Sequence, residues 1–183
     1  MIETKEPIAN PLPKTLEEFV GWEPEDGFKY EWNDGELIKF IGMNKTQFHI
    51  FGILNRFFIS KGYWQTGTFI SEQDVQLTGI QMRRPDIAYF SIEQEIRMRQ
   101  GNDEIPEFVI EIISGSDNAY KLEEKVTEYF KAGVKVLWLV YFETKSVHVY
   151  TSRKQVQICT DEDICSAKPV LSEFEISVNQ LFI

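Results

Sequence analysis

The stretch that decides the fold is FVIEIIS at residues 108–114, an almost wholly apolar run that carries one acidic residue, Glu111. A second apolar run, RPDIAYF at residues 84–90, carries Asp86. Runs of this kind are typical of central strands that are covered on both faces. A carboxylate buried in such a strand is unfavourable unless a cation compensates it. If the two strands are neighbours, a divalent ion between Asp86 and Glu111 would relieve their repulsion, so the pair predicts a metal site and, from it, a hydrolase.

Length and composition indicate a globular protein. The chain has 183 residues, of which 43% are hydrophobic and 26% are charged. We expect a leader over residues 1–14, which contain three prolines, and a single domain over residues 15–183. No apolar run approaches the roughly 20 residues that span a bilayer, and the N-terminus lacks a secretory pattern, so no membrane association and a cytoplasmic location are expected.

The formal net charge of −10 argues against a broad basic surface wrapped on nucleic acid. A local basic surface is still compatible with it, since Arg83, Arg84, Lys121 and Lys125 gather around the two acidic strands in the sequence. The two cysteines, Cys159 and Cys165, form no CxxC pattern. We therefore interpret both as structural residues.

The order of the elements predicts an α/β protein, with α+β character, whose central mixed sheet is flanked by helices. The turn Asn33-Asp34-Gly35 indicates a β-hairpin, and helical periodicity indicates long helices at residues 44–61 and 118–132. The remaining strands are predicted at residues 64–70, 74–77, 86–90, 108–113, 136–142, 146–151 and 155–159. A short helical turn is expected between residues 91 and 105, and a strand with a short helix after residue 169.

The spacing around the acidic strands indicates the chemistry of the site. Two adjacent carboxylates, the backbone carbonyl of Ile112 and water form a hard-oxygen ligand set that suits Mg²⁺ or Mn²⁺. Such an ion polarises a phosphoryl oxygen and lowers the pKa of a bound water. Lys125 lies on the flank of the apolar stripe of the following helix and is placed to lean towards the sheet. A lysine in this position is also typical of an ordinary surface residue whose stem packs on the core.

Together these motifs resemble the Uma2 family, a group abundant in cyanobacteria and related to the PD-(D/E)xK restriction-endonuclease-like nucleases. The resemblance rests on the order and spacing of YEWNDGEL at residues 30–37, RPD at 84–86, VIEIIS at 109–114, Lys125 with Tyr129, and AGV at 132–134 followed by LWLV at 137–140. It covers the chain from about Leu16 to the C-terminus. It implies a restriction-endonuclease-like core and a metal-dependent phosphodiesterase site.

The resemblance also implies roles for individual residues. Asp86 and Glu111 match the acidic metal ligands, and Lys125 matches a lysine that this family carries on the following helix. The superfamily lysine would stand two positions after the glutamate, where this chain has Ile113. Glu36 and His49 match positions at which related nucleases place an extra ligand or base. Glu36 is equally consistent with a solvated hairpin residue, and His49 with a histidine at the edge of the core.

Three functions are compatible with these residues. The first is a Mg²⁺-dependent or Mn²⁺-dependent endonuclease that hydrolyses DNA phosphodiester bonds, with Asp86, Glu111, Lys125, Glu36 and His49 as its catalytic set. The second is a non-catalytic module that retains the nuclease fold and binds nucleic acid or a protein, which the missing strand lysine and the acidic surface favour. The third is a metal-dependent hydrolase of a small phosphorylated molecule. The apolar run at residues 136–140 further indicates a homodimer, and no protein partner is identified.

Overall fold

The computed structural model describes residues 11–115 and 118–183. The predicted leader therefore lies largely outside the described residues, as do Ser116 and Asp117 in the turn before the second long helix. The helices are α1 (Leu16–Val20), α2 (Lys45–Ser60), α3 (Ile92–Arg99), α4 (Ala119–Ala132) and α5 (Val178–Leu181). The strands are β1 (Lys29–Asn33), β2 (Glu36–Phe40), β3 (Gly67–Ser71), β4 (Val75–Thr78), β5 (Gln81–Arg83), β6 (Ile87–Ser91), β7 (Phe108–Ile113), β8 (Val136–Tyr141), β9 (Ser146–Ser152), β10 (Gln155–Thr160), β11 (Ile164–Ser166) and β12 (Glu175–Ser177).

A six-stranded sheet in the order β10-β9-β8-β7-β6-β3 forms the centre of the fold. Within it, β7 and β8 run parallel and each of the other neighbouring pairs is antiparallel. A parallel pair needs a crossover connection, and α4 supplies it between β7 and β8. The predicted mixed sheet flanked by helices is thus confirmed.

The two faces of this sheet are covered by different elements. Ile50, Leu54 and Phe58 of α2 pack on one face, in the cluster that also holds Phe108 and Trp138. Val126 and Tyr129 of α4 pack on the opposite face with Val109, Leu137 and Leu139. Because side chains alternate along a strand, β7 sends Phe108, Ile110 and Ile112 to the α2 face and Val109 and Glu111 to the α4 face.

A smaller sheet in the order β2-β1-β5-β4 lies beside the N-terminal helix. The predicted hairpin forms at Asn33-Asp34-Gly35, where Asp34 (φ 46°) and Gly35 (φ 87°) take the left-handed conformation that a tight hairpin turn requires. Strand β5 was not predicted from the sequence, because its three residues begin and end in the polar side chains Gln81 and Arg83. Its pairing with β1 and β4 supplies the partner that so short a strand needs.

Two further boundaries differ from those predicted. Residues Tyr63–Gln65 form a 3-10 turn, so the strand expected from residue 64 begins only at Gly67. The expected short helical turn is the eight-residue helix α3, which begins at a capping box in which the side chains of Ser91 and Gln94 each accept the other residue's backbone N–H. Among the described helices, none is long and apolar enough to cross a membrane.

Candidate active site

Asp86 lies at the point where β6 meets β7. Its Oδ2 accepts the backbone N–H of Ile112 at 2.6 Å, which continues the pairing of the two strands beyond their last backbone ladder contact. Its Oδ1 accepts the side-chain N–H of Gln47, from the first turn of α2, at 3.0 Å. The same Gln47 nitrogen lies 3.5 Å from the carbonyl oxygen of Ile112. Asp86, Ile112 and Gln47 therefore converge on one point at the end of the two strands.

Glu111 points to the opposite side of β7 from its neighbour Ile112 and meets helix α4. Its Oε1 accepts the hydroxyl of Tyr129 at 2.6 Å and lies 3.3 Å from Nζ of Lys125. Only 5% of Glu111 is exposed. Tyr129 and Lys125 thus hold one oxygen of Glu111 from successive turns of the same helix.

A second carboxylate shares Lys125 with Glu111. Glu31, in β1, has its Oε1 3.2 Å from Lys125 Nζ and accepts the backbone N–H of Arg84 at 3.0 Å. Its Oε2 accepts Nη1 of Arg83 at 3.0 Å. Arg83 is 2% exposed and also pairs with Glu128 of α4 through Nε at 2.8 Å. These contacts link the small sheet to α4 and hold Lys125 from two sides.

Burial and neighbouring charges set the protonation of the site. Burial, reinforced by the nearby charge of Glu111, raises the pKa of Asp86 to about 8, against the opposing effects of the Ile112 N–H and of Lys125. Burial also raises the pKa of Glu111, although Lys125 opposes it. Burial acts to raise the pKa of Glu31, but Lys125 and Arg83 outweigh it and the pKa is lowered. The two carboxylates in turn outweigh burial at Lys125 and raise its pKa, so the ammonium stays charged.

The donor set is compatible with a hard divalent cation. Asp86, Glu111 and the Ile112 carbonyl would contribute oxygen ligands, and waters would complete the shell that Mg²⁺ or Mn²⁺ requires. A carboxylate that is difficult to ionise without a cation, as Asp86 is, gains most from a bound ion. Within residues 11–115 and 118–183, no group of three or more His, Cys, Asp or Glu side chains is arranged to hold a metal. Such a site would therefore depend on the two carboxylates, the backbone carbonyl and water.

The structure brings some of the sequence-predicted residues together and leaves others apart. Asp86, Glu111, Lys125 and Ile112 lie at the ends of β6 and β7 or above them on α4. Glu36 instead lies on the edge strand β2, with a side chain that is 60% exposed and paired with Lys121 at 3.1 Å. His49 lies on the exposed side of α2, where its Nε2 donates to the main-chain oxygen of Ile183 at 2.9 Å. Glu36 and His49 make no described contact with the carboxylate pair, and their roles as ligand or base stay predictions.

Sequence reasoning missed Gln47, Glu31 and the Arg83–Glu128 pair as members of this cluster. A signal for Gln47 was present in Asn44-x-x-Gln47, a capping box in which Gln47 Oε1 accepts the Asn44 N–H and so turns its amide nitrogen towards Asp86. Glu31 stands between Tyr30 and Trp32, which pack in the core of the small sheet. Strand alternation alone places Glu31 on the opposite face from these two residues.

The fold and the paired strand carboxylates define a restriction-endonuclease-like α/β protein. The Uma2 family, described as "Putative restriction endonuclease", matches residues 16–179. The chain belongs to this family. Among solved structures it is similar to a protein of Anabaena variabilis ATCC 29413, described as a putative nuclease belonging to DUF820, with a TM-score of 0.76 and 20% sequence identity over 93% of this chain and 98% of that chain. At that identity the likeness establishes the fold. Comparison with curated proteins gave no match.

Proposed function

We propose that the protein is a metal-dependent endonuclease that hydrolyses DNA phosphodiester bonds. The observation that carries the proposal is the cluster of buried ionisable groups at the ends of β6 and β7, where Lys125 lies 3.3 Å from Glu111 and Asp86 contacts the backbone of Ile112. A fold has no need of such groups in its interior, since apolar side chains of similar volume are often at least as stable. Membership of a family described as a restriction endonuclease supports the same reaction class.

Asp86, Glu111 and the carbonyl of Ile112 would hold Mg²⁺ or Mn²⁺, which would supply phosphoryl polarisation and a water of lowered pKa. Lys125 remains charged beside the carboxylates and would stabilise the negative charge that develops on the phosphate. It takes the place of the strand lysine, because Ile113 occupies that position and packs with the apolar cluster under α4.

Glu31 and Tyr129 act as positioning residues in this scheme. Glu31 holds Lys125 from the side of the small sheet, and Arg83 fixes Glu31. Tyr129 fixes the rotamer of Glu111 through its hydroxyl at 2.6 Å. Such supporting contacts keep charged groups in a reactive geometry without contact with the substrate.

The test is a cleavage assay on supercoiled, linear duplex and single-stranded DNA with Mg²⁺ or Mn²⁺. Wild type, Asp86→Ala and Glu111→Ala are purified identically, and circular dichroism checks that each is folded. We expect metal-dependent cleavage by the wild type and loss of cleavage in both variants. Cleavage at the wild-type rate by Asp86→Ala would overturn the proposal.

A non-catalytic module that binds nucleic acid or a protein is the second candidate. It is favoured by the double pairing of Lys125 with Glu31 and Glu111, which leaves the ammonium partly neutralised, and by the net charge of −10. This alternative predicts that Mn²⁺ raises the melting temperature of the wild type but that no DNA is cleaved.

A further inference from the structure

A cleft of about 620 Å³ lies outside the carboxylate cluster, between α1, the following loop and the small sheet. Its walls include four aromatic side chains, which are Phe19, Trp22, Phe28 and Tyr30. A volume of several hundred cubic ångströms is typical of pockets that take small organic groups. None of the residues proposed to bind the metal, stabilise the phosphate charge or position these groups lines this cleft.

We propose that this cleft binds an unstacked nucleobase of the DNA substrate, close to the phosphate that is cleaved. The inference deepens the proposed function and rests on it for the identity of the polymer. It names single-stranded DNA, or duplex with an unpaired nucleotide, as the class of substrate. Three features of the described residues carry it: an aromatic wall, an indole N–H without an acceptor, and a backbone connection to Asp86.

The aromatic wall suits a planar heterocycle. Trp22 meets Tyr30 edge to face, with ring centroids 4.9 Å apart, and Phe19 lies 6.3 Å from Trp22. Phe28 is 37% exposed, and the Lys39 ammonium lies 3.6 Å from its ring centroid. Aromatic side chains of this kind stack on bases with little preference for sequence, because every base has a π-face.

The indole nitrogen of Trp22 is buried and has no hydrogen-bond partner in the described part of the chain. An unsatisfied buried donor costs about 1–3 kcal/mol, so such groups usually mark a missing partner. Nucleobases present carbonyl oxygens and ring nitrogens that accept hydrogen bonds. A base that stacks on the Trp22 ring would bring an acceptor close to this donor, and a rotation of the ring would open the donor to it.

The charges along the cleft favour one nucleotide over a run of phosphates. Lys29 and Arg84 are balanced by Glu23 and Asp74, so the walls carry no net charge. Arg84 is engaged by Asp74 through two contacts of 2.6 Å. Lys29 lines the cleft and takes part in none of the described ion pairs within residues 11–115 and 118–183, so we assign its ammonium to a single phosphate.

The cleft adjoins the carboxylate cluster through the backbone. Arg84 lines the cleft, and its N–H donates to Glu31, which also holds Lys125. Asp86 follows Arg84 by two residues, a span of at most about 7 Å along an extended chain. A base held in the cleft would therefore belong to a nucleotide near the scissile phosphate.

The test measures binding without turnover, using the full chain in EDTA. Fluorescence anisotropy measures the binding of two labelled oligonucleotides. One is a short single strand, and the other is a matched strand whose internal nucleotides are abasic. Wild type is compared with Trp22→Phe and Phe28→Ala, and with Trp64→Phe as a control, since Trp64 is 60% exposed and does not line the cleft. Trp22→Phe keeps a ring but removes the N–H donor, so it is expected to fold like the wild type.

We expect Phe28→Ala to bind the base-bearing oligonucleotide about 5- to 100-fold more weakly than the wild type, as loss of base stacking predicts. Trp22→Phe should bind it about 2- to 10-fold more weakly, as loss of one hydrogen bond predicts. We expect Trp64→Phe to bind like the wild type and the abasic oligonucleotide to bind weakly and equally to all four proteins. Quenching of a 2-aminopurine base on binding to the wild type is expected as the direct signature of stacking.

Absence of oligonucleotide binding, equal binding of both oligonucleotides, or unchanged affinity in both cleft variants would overturn the inference. Its failure is distinguishable from that of the proposed function. If the wild type binds in a base-dependent way, the cleft variants lose this binding and no DNA is cleaved in Mg²⁺ or Mn²⁺, the proposed nuclease function is refuted and the base-binding cleft is retained. Metal-dependent cleavage with unaffected binding in the cleft variants would refute the cleft alone.

Discussion

The two faces of the six-stranded sheet are built from the same strands but differ in what they bury. The face under α2 is a continuous apolar and aromatic cluster, in which the rings of Phe108 and Trp138 lie 5.1 Å apart. The face under α4 also has an apolar cluster, but at its edge it encloses Glu111, Lys125 and the hydroxyl of Tyr129. Burying charged groups costs free energy that apolar packing does not, so the difference supports our proposal that the α4 face serves chemistry, while the α2 face serves stability.

The largest effect on stability is expected on the α2 face. Phe58→Ala removes a 2%-exposed ring that stacks on Phe69 at 4.3 Å, and it should lower the free energy of unfolding by about 3–5 kcal/mol. Chemical denaturation measures this loss. Cleavage per folded molecule should be retained, since none of the contacts described for Phe58 reaches the carboxylate cluster. A loss below about 1 kcal/mol would contradict the assignment of this face to stability.

On the α4 face, the largest effect is expected on activity. Lys125→Met retains the apolar stem but removes the ammonium, and it should lower the cleavage rate by about 10²- to 10³-fold, the usual effect of losing a charge-stabilising donor. The matched control is Lys121→Met, on the same helix, where the side chain is 54% exposed and pairs only with Glu36 in the described residues. Initial rates of plasmid nicking compare the two variants. Equal rates for Lys125→Met and the wild type would remove Lys125 from the mechanism.

The protonation of Asp86 gives the α4 face a dependence on pH. The pKa of Asp86 rises from 3.8 to about 8 on folding, so between these values the folded protein holds an extra proton and loses stability as pH increases. In EDTA, this group should lower the free energy of unfolding by about 2–3 kcal/mol as the pH rises from 6 to 8.5. Urea unfolding at the two pH values should show this loss in the wild type but not in Asp86→Asn. The same loss in both proteins would assign the pH dependence to other groups.

The smallest effect is expected at the exposed ion pair between Glu36 and Lys121, which links α4 to the β1–β2 hairpin. Glu36→Ala should change the free energy of unfolding by less than about 0.5–1 kcal/mol, because Glu36 and Lys121 are more than half exposed and solvent screens their attraction. The cleavage rate should also stay within about twofold of the wild type. A rate lower by an order of magnitude would restore Glu36 to the catalytic set that the family resemblance implies.

The sequence predicted the central strands and the long helices because their signals are local. An apolar run predicts strand β7, and a helical stripe predicts helix α4. The helix ends at Gly133, whose φ of 114° suits a residue without a side chain. The approach of Asp86 and Glu111 was also predictable, since it needed only the adjacency of two acidic strands. Strand β5 was not, because it is three residues long and exists only through its partners.

The surroundings of the site were harder to predict because they depend on contacts between distant elements. Glu31 reaches Lys125 across 94 positions of sequence, and Gln47 reaches Asp86 across 39. No local pattern in a single sequence encodes such separations. The motif around the hairpin predicted a role for Glu36 and none for Glu31, because only the packing of β1 against α4 separates the buried glutamate from the exposed one.

The central claim is that the carboxylates of β6 and β7 bind a divalent ion, and titration with Mn²⁺ followed by electron paramagnetic resonance tests it most directly. The proteins are wild type, Asp86→Asn and Glu111→Gln, with Glu175→Gln as a control because Glu175 is an exposed acid paired with Lys168. At pH 8.5, we predict one bound Mn²⁺ per chain in the wild type and in Glu175→Gln, and none in Asp86→Asn or Glu111→Gln at the same concentrations. Unchanged Mn²⁺ binding in both site variants would contradict the claim.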